Sequence, residues 1–324
     1  RSNQKIEFNH SRLMKSAIAK TKIIIICGPT GIGKTTVAID LAQHLEGQII
    51  GADSMQIYKF MDIGTAKPTA EERARAVHHM VDFVPPDQSF DAAQYAAAAR
   101  AKIIELDEQR ITPIVVGGTG LYIKALLHGL FDEKVSDPKI RNRLISEAGD
   151  HGIRFLFERL SRLDPETAKR LHPNDSYRIL RALEVIEATG QAISKHHQKH
   201  GFFDRPFESL KIGLNMDRAI LYERINRRVD AMISAGFLDE VKSLLARGYS
   251  ANLKPMQSIG YRHMVDYIED RLCWEECIRT LKRDHRRYAK RQLTWFRADP
   301  EIIWKEPQQV EALKLLGANF INNC

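Results

Sequence analysis

The sequence predicts an α/β fold: a P-loop NTPase-like parallel sheet with helices on both faces, carrying an all-helical insertion domain. Three observations predict it. The stretch KIIIICGPTGIGKTT places an apolar, β-branched run directly before a glycine-rich loop and a helix. Strand-like and helix-like segments then alternate as far as residue 130, the pattern of βαβ units. Between residues 131 and 204 only helix-like segments occur, and a further strand-like run follows them.

Residues 1–20 read as a leader. They are basic but lack the apolar core of a signal peptide, and Met14 is a candidate original start. KIIIIC is short, apolar and bounded by Gly28, which favours a strand buried on both faces. TTVAIDLAQHL has helical spacing, with Val37, Leu41 and Leu45 on one face. GQIIGADS is a second strand, running to Asp53. AAQYAAAARAKIIELDEQR is rich in alanine and in i,i+4 apolar pairs, so it reads as a strong helix. ITPIVVGGTG is another buried strand with a glycine turn, followed by the helix LYIKALLHGL. Residues 21–130 are therefore the first part of a P-loop core. DPKIRNRLISEAGDHG, IRFLFERLSRLDPETAKRL and NDSYRILRALEVIEATG are the helices of the insertion, 131–204. LKIGLNMD returns as a strand, and residues 205–324 complete the core with basic C-terminal helices.

Composition narrows the class. The 324 residues are 44% hydrophobic and 28% charged, as in a globular chain. A net charge of +8 permits a polyanionic partner without demanding one. The four cysteines, Cys27, Cys273, Cys277 and Cys324, form neither a CxxC pair nor a zinc spacing. Cys27 reads as a small hydrophobe in a strand, and Cys273 with Cys277 as packing on a helix. That usage suits a reducing cytoplasm. No run approaches the roughly 18 apolar residues of a membrane span, so the expected location is cytoplasmic. His78-His79 and His196-His197 are adjacent pairs whose side chains diverge on a helix, and no metal site is expected there.

Gly28-Pro29-Thr30-Gly31-Ile32-Gly33-Lys34-Thr35 fits GxxxxGK[ST]. The glycines let backbone N–H groups converge on phosphate oxygens, Lys34 supplies charge, and the Thr35 hydroxyl can join a Mg²⁺ shell. The helix that follows turns its positive end to the anion. The strand where nucleotide hydrolases place a Mg²⁺-binding acid ends instead in Gly117-Gly118-Thr119. That weakens an ATPase reading and leaves a phosphate-bearing substrate other than a nucleotide. Asp53 is the acid best placed for chemistry, at the carboxyl end of a strand beside the loop. Its bland role is capping a turn.

The chain resembles the tRNA dimethylallyltransferases, or tRNA isopentenyltransferases, from about Lys22 to Arg297. The resemblance rests on GPTGIGKT, ADSMQIYKFMDIGTAKP, VVGGTGLYIKALLHG, LHPNDSYRILRALEV, QSIGYR and KRQLTWFR, in that order. Two departures are minor. Gly31-Ile32 stands where members often carry Ala-Ser or Ala-Val, and Asp91 where a small polar residue is common. The resemblance implies transfer of a dimethylallyl group from dimethylallyl diphosphate to N6 of the adenosine 3′ to the anticodon. It implies Asp53, Thr30 and Arg228 as catalytic residues, with Asp53 as base. It makes the loop, Gly28 to Thr35, the diphosphate site, with Mg²⁺ as cofactor. The implied partners are a tRNA anticodon stem-loop and dimethylallyl diphosphate, and a monomer is expected, though the sequence itself does not encode the oligomeric state.

For the tRNA side, the stretch 279–297 carries eight Lys or Arg against one acid. Arg283, Arg287 and Arg291 recur at i,i+4, and Tyr288, Trp295 and Phe296 interrupt them. Basic groups neutralise phosphates and aromatics stack on splayed bases. The full set assigned to tRNA has four parts. Asp53, Ser54, Met55, Gln56 and Thr119 follow the strand ends. Arg141, Tyr177, Arg178 and Arg181 lie in the insertion. Gln257, Ser258, Gly260, Tyr261 and Arg262 lie in QSIGYR. Lys290, Arg291, Gln292, Thr294, Trp295 and Arg297 lie in the last basic helix. Rival readings are an adenylate isopentenyltransferase acting on a free nucleotide, a P-loop small-molecule kinase, and a nucleic-acid-binding NTPase without transferase activity.

Overall fold

The computed structural model describes residues 20–129, 137–195 and 206–323. Nearly all of the leader, the His196-His197 pair and Cys324 lie outside these. Six strands form one sheet: β1 (Lys22–Cys27), β2 (Gly47–Gly51), β3 (His78–His79), β4 (Thr112–Gly117), β5 (Glu208–Leu214) and β6 (Ile303–Lys305). Their order is β3-β2-β4-β1-β5-β6, and every pairing is parallel. β1 is central because four successive isoleucines, Ile23 to Ile26, are buried on both faces.

Around the sheet run α1 (Lys34–His44), α2 (Ala70–Arg75), α3 (Ala92–Glu108) and α4 (Gly120–His128). After β5 come α9 (Arg218–Ser234), α10 (Phe237–Ala246), α11 (Tyr261–Ile268), α12 (Trp274–Arg297) and α13 (Val310–Asn322). The chain divides into two compact units, Arg1–Leu127 with Arg205–Cys324, and His128–Asp204. The second holds α5 (Pro138–His151), α6 (Ile153–Leu163), α7 (Pro165–Ala168) and α8 (Ser176–Thr189). It has its own core, including Leu144, Leu156, Leu160, Ile179 and Leu183.

In the first unit one core joins the sheet to α1 and α9 through Ile26, Leu41, Leu214 and Ile225. A second core joins residues 57–61 to α9, α10 and α11 through Tyr58, Val229, Phe237 and Tyr261. Between them these cores fix one side of α9 and the loop after β2, the two walls that face the phosphate loop.

The structure corrects several element readings. IRFLFERLSRLDPETAKRL is two helices, not one, because Pro165 has no N–H to continue α6. Asp164 instead caps α7, accepting the Thr167 N–H at 3.1 Å. β2 stops at Gly51, two residues before Asp53, where the chain turns. His78 and His79 lie on a strand, in register with Ile49 and Ile50. β3 and β6 have two and three residues, too few for any period to register. Cys277 is buried in α12, but Cys273 is its exposed N-cap rather than a helix residue.

Candidate active site

The glycine-rich loop leaves β1 at Cys27 and enters α1 through Gly33, whose φ of 102° is open to glycine at little cost. No side chain caps α1, so its first N–H groups stay free to point at an anion. Lys34 Nζ donates to the carbonyls of Gly28 at 3.0 Å and Pro29 at 2.8 Å, folding the ammonium over the loop. Burial, with the positive charge of Arg228 acting the same way, lowers the Lys34 pKa to about 8; Asp53 opposes both.

The loop is tied to the end of β4 by Gln292 of α12. Gln292 Oε1 accepts the Thr30 N–H at 2.8 Å, and its Nε2 donates to Gly118 O at 2.9 Å. A Cβ at Gly118 would stand 2.2 Å from that nitrogen, and one at Gly117 would stand 2.0 Å from Ala52 O. No acid side chain fits where β4 ends. At Gly117 the clash is with backbone, so packing there requires glycine.

Asp53 lies two residues past β2. Its Oδ1 accepts the N–H of Met55 at 2.8 Å and of Gln56 at 3.4 Å, so it does cap the turn. Its Oδ2 accepts no hydrogen bond among the described residues. One oxygen thereby fixes the carboxylate and the other remains available. Ser54 donates its N–H to Thr119 Oγ1 at 3.0 Å, which holds the strand ends together. Asp53, Thr30, Lys34, Thr35 and Arg228 all line one cavity of about 530 Å³.

Arg228 comes from α9. Burial lowers its pKa while Asp53 and Glu72 raise it. Behind it, His285 is neutral, its pKa pushed down to about 4 by burial and then by Arg228. Tyr288 and Arg224 also line the cavity and carried no assignment in the sequence. Burial, then the charge of Asp53, pushes the Tyr288 hydroxyl well above its ordinary value, so the phenol keeps its proton. The i,i+4 spacing of Arg224 and Arg228 was a readable signal for the first. Tyr288 offered none beyond its place in a basic helix.

The residues assigned to tRNA fall into two kinds. Lys290, Arg291, Thr294, Trp295 and Arg297 are exposed on α12. Lys290, Arg291 and Arg297 form no ion pair among the described residues. Gln257 is exposed, and Ser258 half-buried. Tyr177 is 67% exposed in the helical unit, with Arg141 stacked on its ring at 5.5 Å. There Arg141 and Arg181 both reach the fully buried Glu184, at 3.1 and 3.0 Å, and Arg178 pairs with Asp175.

Other positions are buried or already engaged within the protein. Tyr261 is completely buried, and its hydroxyl donates to Glu240 at 2.7 Å. Glu240 in turn accepts the N–H groups of Asp62, Ile63 and Gly64. Tyr261 thus braces the loop after β2, and Gly260 is buried beside it. Gln292, 6% exposed, spends both ends of its amide on the phosphate loop and the β4 turn. Phe296 is core, at 4% exposure. Ile32 is buried and can offer only its backbone. Met55 packs against the core that holds Tyr58. Arg262, Arg283 and Arg287 converge on Asp284, at 2.6, 3.0 and 3.7 Å. The proposed basic face 283–287–291 is therefore partly neutralised, with Arg291 the member left unpaired by an acid.

No cluster of three His, Cys, Asp or Glu residues suited to a metal exists among the described residues. Among them, no helix is long and apolar enough to cross a membrane.

Comparison with known proteins agrees with this geometry. The family model for IPP transferase matches residues 56–299. A tRNA dimethylallyltransferase of Desulfosudis oleivorans is 53% identical over 303 residues, 93% of this chain and 96% of that one. The full-length tRNA isopentenylpyrophosphate transferase of Bacillus halodurans superposes with a TM-score of 0.71. It is 40% identical and covers 93% of this chain and 97% of its own. A eukaryotic dimethylallyltransferase caught acting on tRNA gives a TM-score of 0.79 at 29% identity, covering 94% and 80%.

Proposed function

The chain belongs to the tRNA dimethylallyltransferase (IPP transferase) family, and from that premise we propose how its own residues transfer a dimethylallyl group to N6 of the adenosine 3′ to the anticodon. The observation that carries the reading is the pairing of a phosphate loop with Asp53 in one cavity, where β4 can hold no acid. Such a site is built to grip a diphosphate and to accept a proton, and is poorly built to hydrolyse ATP.

The N6 lone pair is delocalised into the purine, so the amine needs help as a nucleophile. Asp53 Oδ2 takes the N6 proton as the N6–C1 bond forms and the C1–O bond to diphosphate breaks. Oδ1, held by the Met55 N–H, keeps the other oxygen aimed. Negative charge grows on the departing diphosphate. Lys34, Arg228, the Thr30 hydroxyl and the loop N–H groups stabilise it in place, without reorganisation. Gln292 keeps the Thr30 backbone where this requires.

Mg²⁺ fits as a partner of the diphosphate. The Thr35 hydroxyl, a hard oxygen donor of the type it prefers, lines the cavity and would hold it beside the diphosphate. Bound there, it would offset charge on the leaving group.

Bringing an RNA base into this cavity requires unstacking it from its strand. Exposed Lys290, Arg291 and Arg297 on α12, with Trp295, support an anticodon arm as the macromolecular substrate, at a cytoplasmic location. Competition binding tests the small-molecule half. Dimethylallyl diphosphate is expected to displace a labelled diphosphate far better than ATP does. Tight ATP binding with steady hydrolysis would return the kinase and NTPase readings.

A further inference from the structure

Arg224 stands one turn before Arg228 on α9 and lines the same cavity. Its guanidinium lies 3.3 Å from the point where a Cβ on Gly33 would project, so it sits directly over the glycine that opens α1. Arg224 is half-buried and makes no hydrogen bond or ion pair among the described residues. Its neighbour Arg227 also lines the cavity but is paired with Glu223, at 3.2 Å, and both of those are exposed. A half-buried arginine that lines a cavity with no acid paired to it is placed to receive an anion.

Arg228 feels Asp53 and Glu72. It lines the cavity together with Asp53, and in the proposed reaction it attends the phosphate nearer the base. One helical turn separates the two arginines, about 6 Å along the axis for four residues. Side chains four residues apart share a helix face, so the two forks can each take one phosphate of a linked pair. We infer that Arg224 is a second diphosphate anchor, holding the phosphate distal to Asp53 against Gly33, and that it sets the preference of the site for a diphosphate over a monophosphate. The inference rests on the reading of this cavity as a prenyl diphosphate site.

The charges are matched in this arrangement. Lys34, Lys67, Arg224, Arg227 and Arg228 line the cavity against Asp53 and Glu72, an excess of three positive charges for a ligand whose diphosphate approaches three negative ones. An arginine fork meets phosphate oxygens with two parallel N–H bonds, which a lysine cannot reproduce.

The experiment measures binding of inorganic diphosphate and inorganic phosphate to the whole protein by calorimetry, with tRNA prenylation followed alongside. For Arg224→Gln, diphosphate affinity is expected to fall about ten- to hundredfold, as for removal of a charge-assisted hydrogen bond. Phosphate affinity should change less than threefold or so, and Arg224→Lys should recover part of the loss. Because Arg224 makes no internal pair among the described residues, the thermal midpoint should not drop. A purely structural role would lower the midpoint and weaken both anions alike, and would overturn the inference. So would an unchanged diphosphate-to-phosphate ratio in both variants while the wild type still prenylates tRNA. If the wild type binds neither anion and transfers nothing, the prenyl diphosphate reading itself falls, and the inference with it.

Discussion

At Asp53 one carboxylate oxygen is already committed, since Oδ1 accepts the Met55 N–H at 2.8 Å. The capping role and the proton-accepting role are thus compatible, one for each oxygen. Asp53→Asn keeps a capping oxygen and removes the base, so turnover should fall about 10²- to 10⁴-fold with diphosphate affinity little changed. Normal turnover in that variant would leave Asp53 as a cap alone, and steady-state kinetics on tRNA decides. Lys34 makes a pH prediction. In the free protein its pKa is lowered to about 8 by burial first and by Arg228 second. A bound diphosphate favours the ammonium form, so the complex holds the proton to higher pH than the free protein does. Affinity must then decline as pH rises above about 8, and binding near pH 9 must take up a proton. Calorimetry in two buffers of different ionisation heat measures that uptake. Lys34→Gln should abolish it, and equal uptake in the variant would assign the proton elsewhere.

α12 has two faces, one engaged inside the protein and one open to water. Gln292 and Phe296 point inward to the phosphate loop and the core, while Lys290, Arg291 and Arg297 point to water. A basic run shows in the sequence, but its facing does not. Which of its members are spoken for depends on Asp284, which collects Arg262, Arg283 and Arg287. Lys290→Ala with Arg291→Ala should flatten the slope of log tRNA affinity against log salt, by slightly under one unit for each RNA phosphate that goes unneutralised. Diphosphate affinity should hold, since neither residue lines the cavity. An unchanged slope would make this a solvated face and revive the free-nucleotide reading. The long elements were legible for physical reasons. β1 and β4 are runs of buried β-branched residues, and α3 has an Asp91 cap that the alanine-rich pattern follows directly. β3, β6 and the α6–α7 break were not, because a few residues carry no period and a proline inside a periodic stretch is easily read through. The Gln292 bridge was hidden for another reason. It joins positions separated by 262 and 174 residues, and no local pattern encodes such a meeting.

The described residues fall into two compact units, the sheet with its C-terminal helices and the helical unit, each with core of its own. The phosphate loop and every residue that lines its cavity belong to the first. Leu160 is fully buried in the second, so Leu160→Ala should destabilise that unit by about 2–5 kcal/mol. Hydrogen exchange should show protection lost in α5, α6 and α8 while β1 and β4 keep theirs. Uniform loss across both units would mean that they unfold as one. With a net charge of +8, the chain favours a polyanion in general. Only chemistry at the cavity distinguishes a transferase from a protein that merely binds RNA. The most direct measurement is therefore incubation of the purified protein with unmodified tRNA, dimethylallyl diphosphate and Mg²⁺, followed by mass spectrometry of the digested nucleosides. The account predicts N6-(dimethylallyl)adenosine, formed one for one with released diphosphate and lost in Asp53→Asn. No prenylated nucleoside from the wild type, with diphosphate bound but unreleased or ATP steadily hydrolysed, would contradict it.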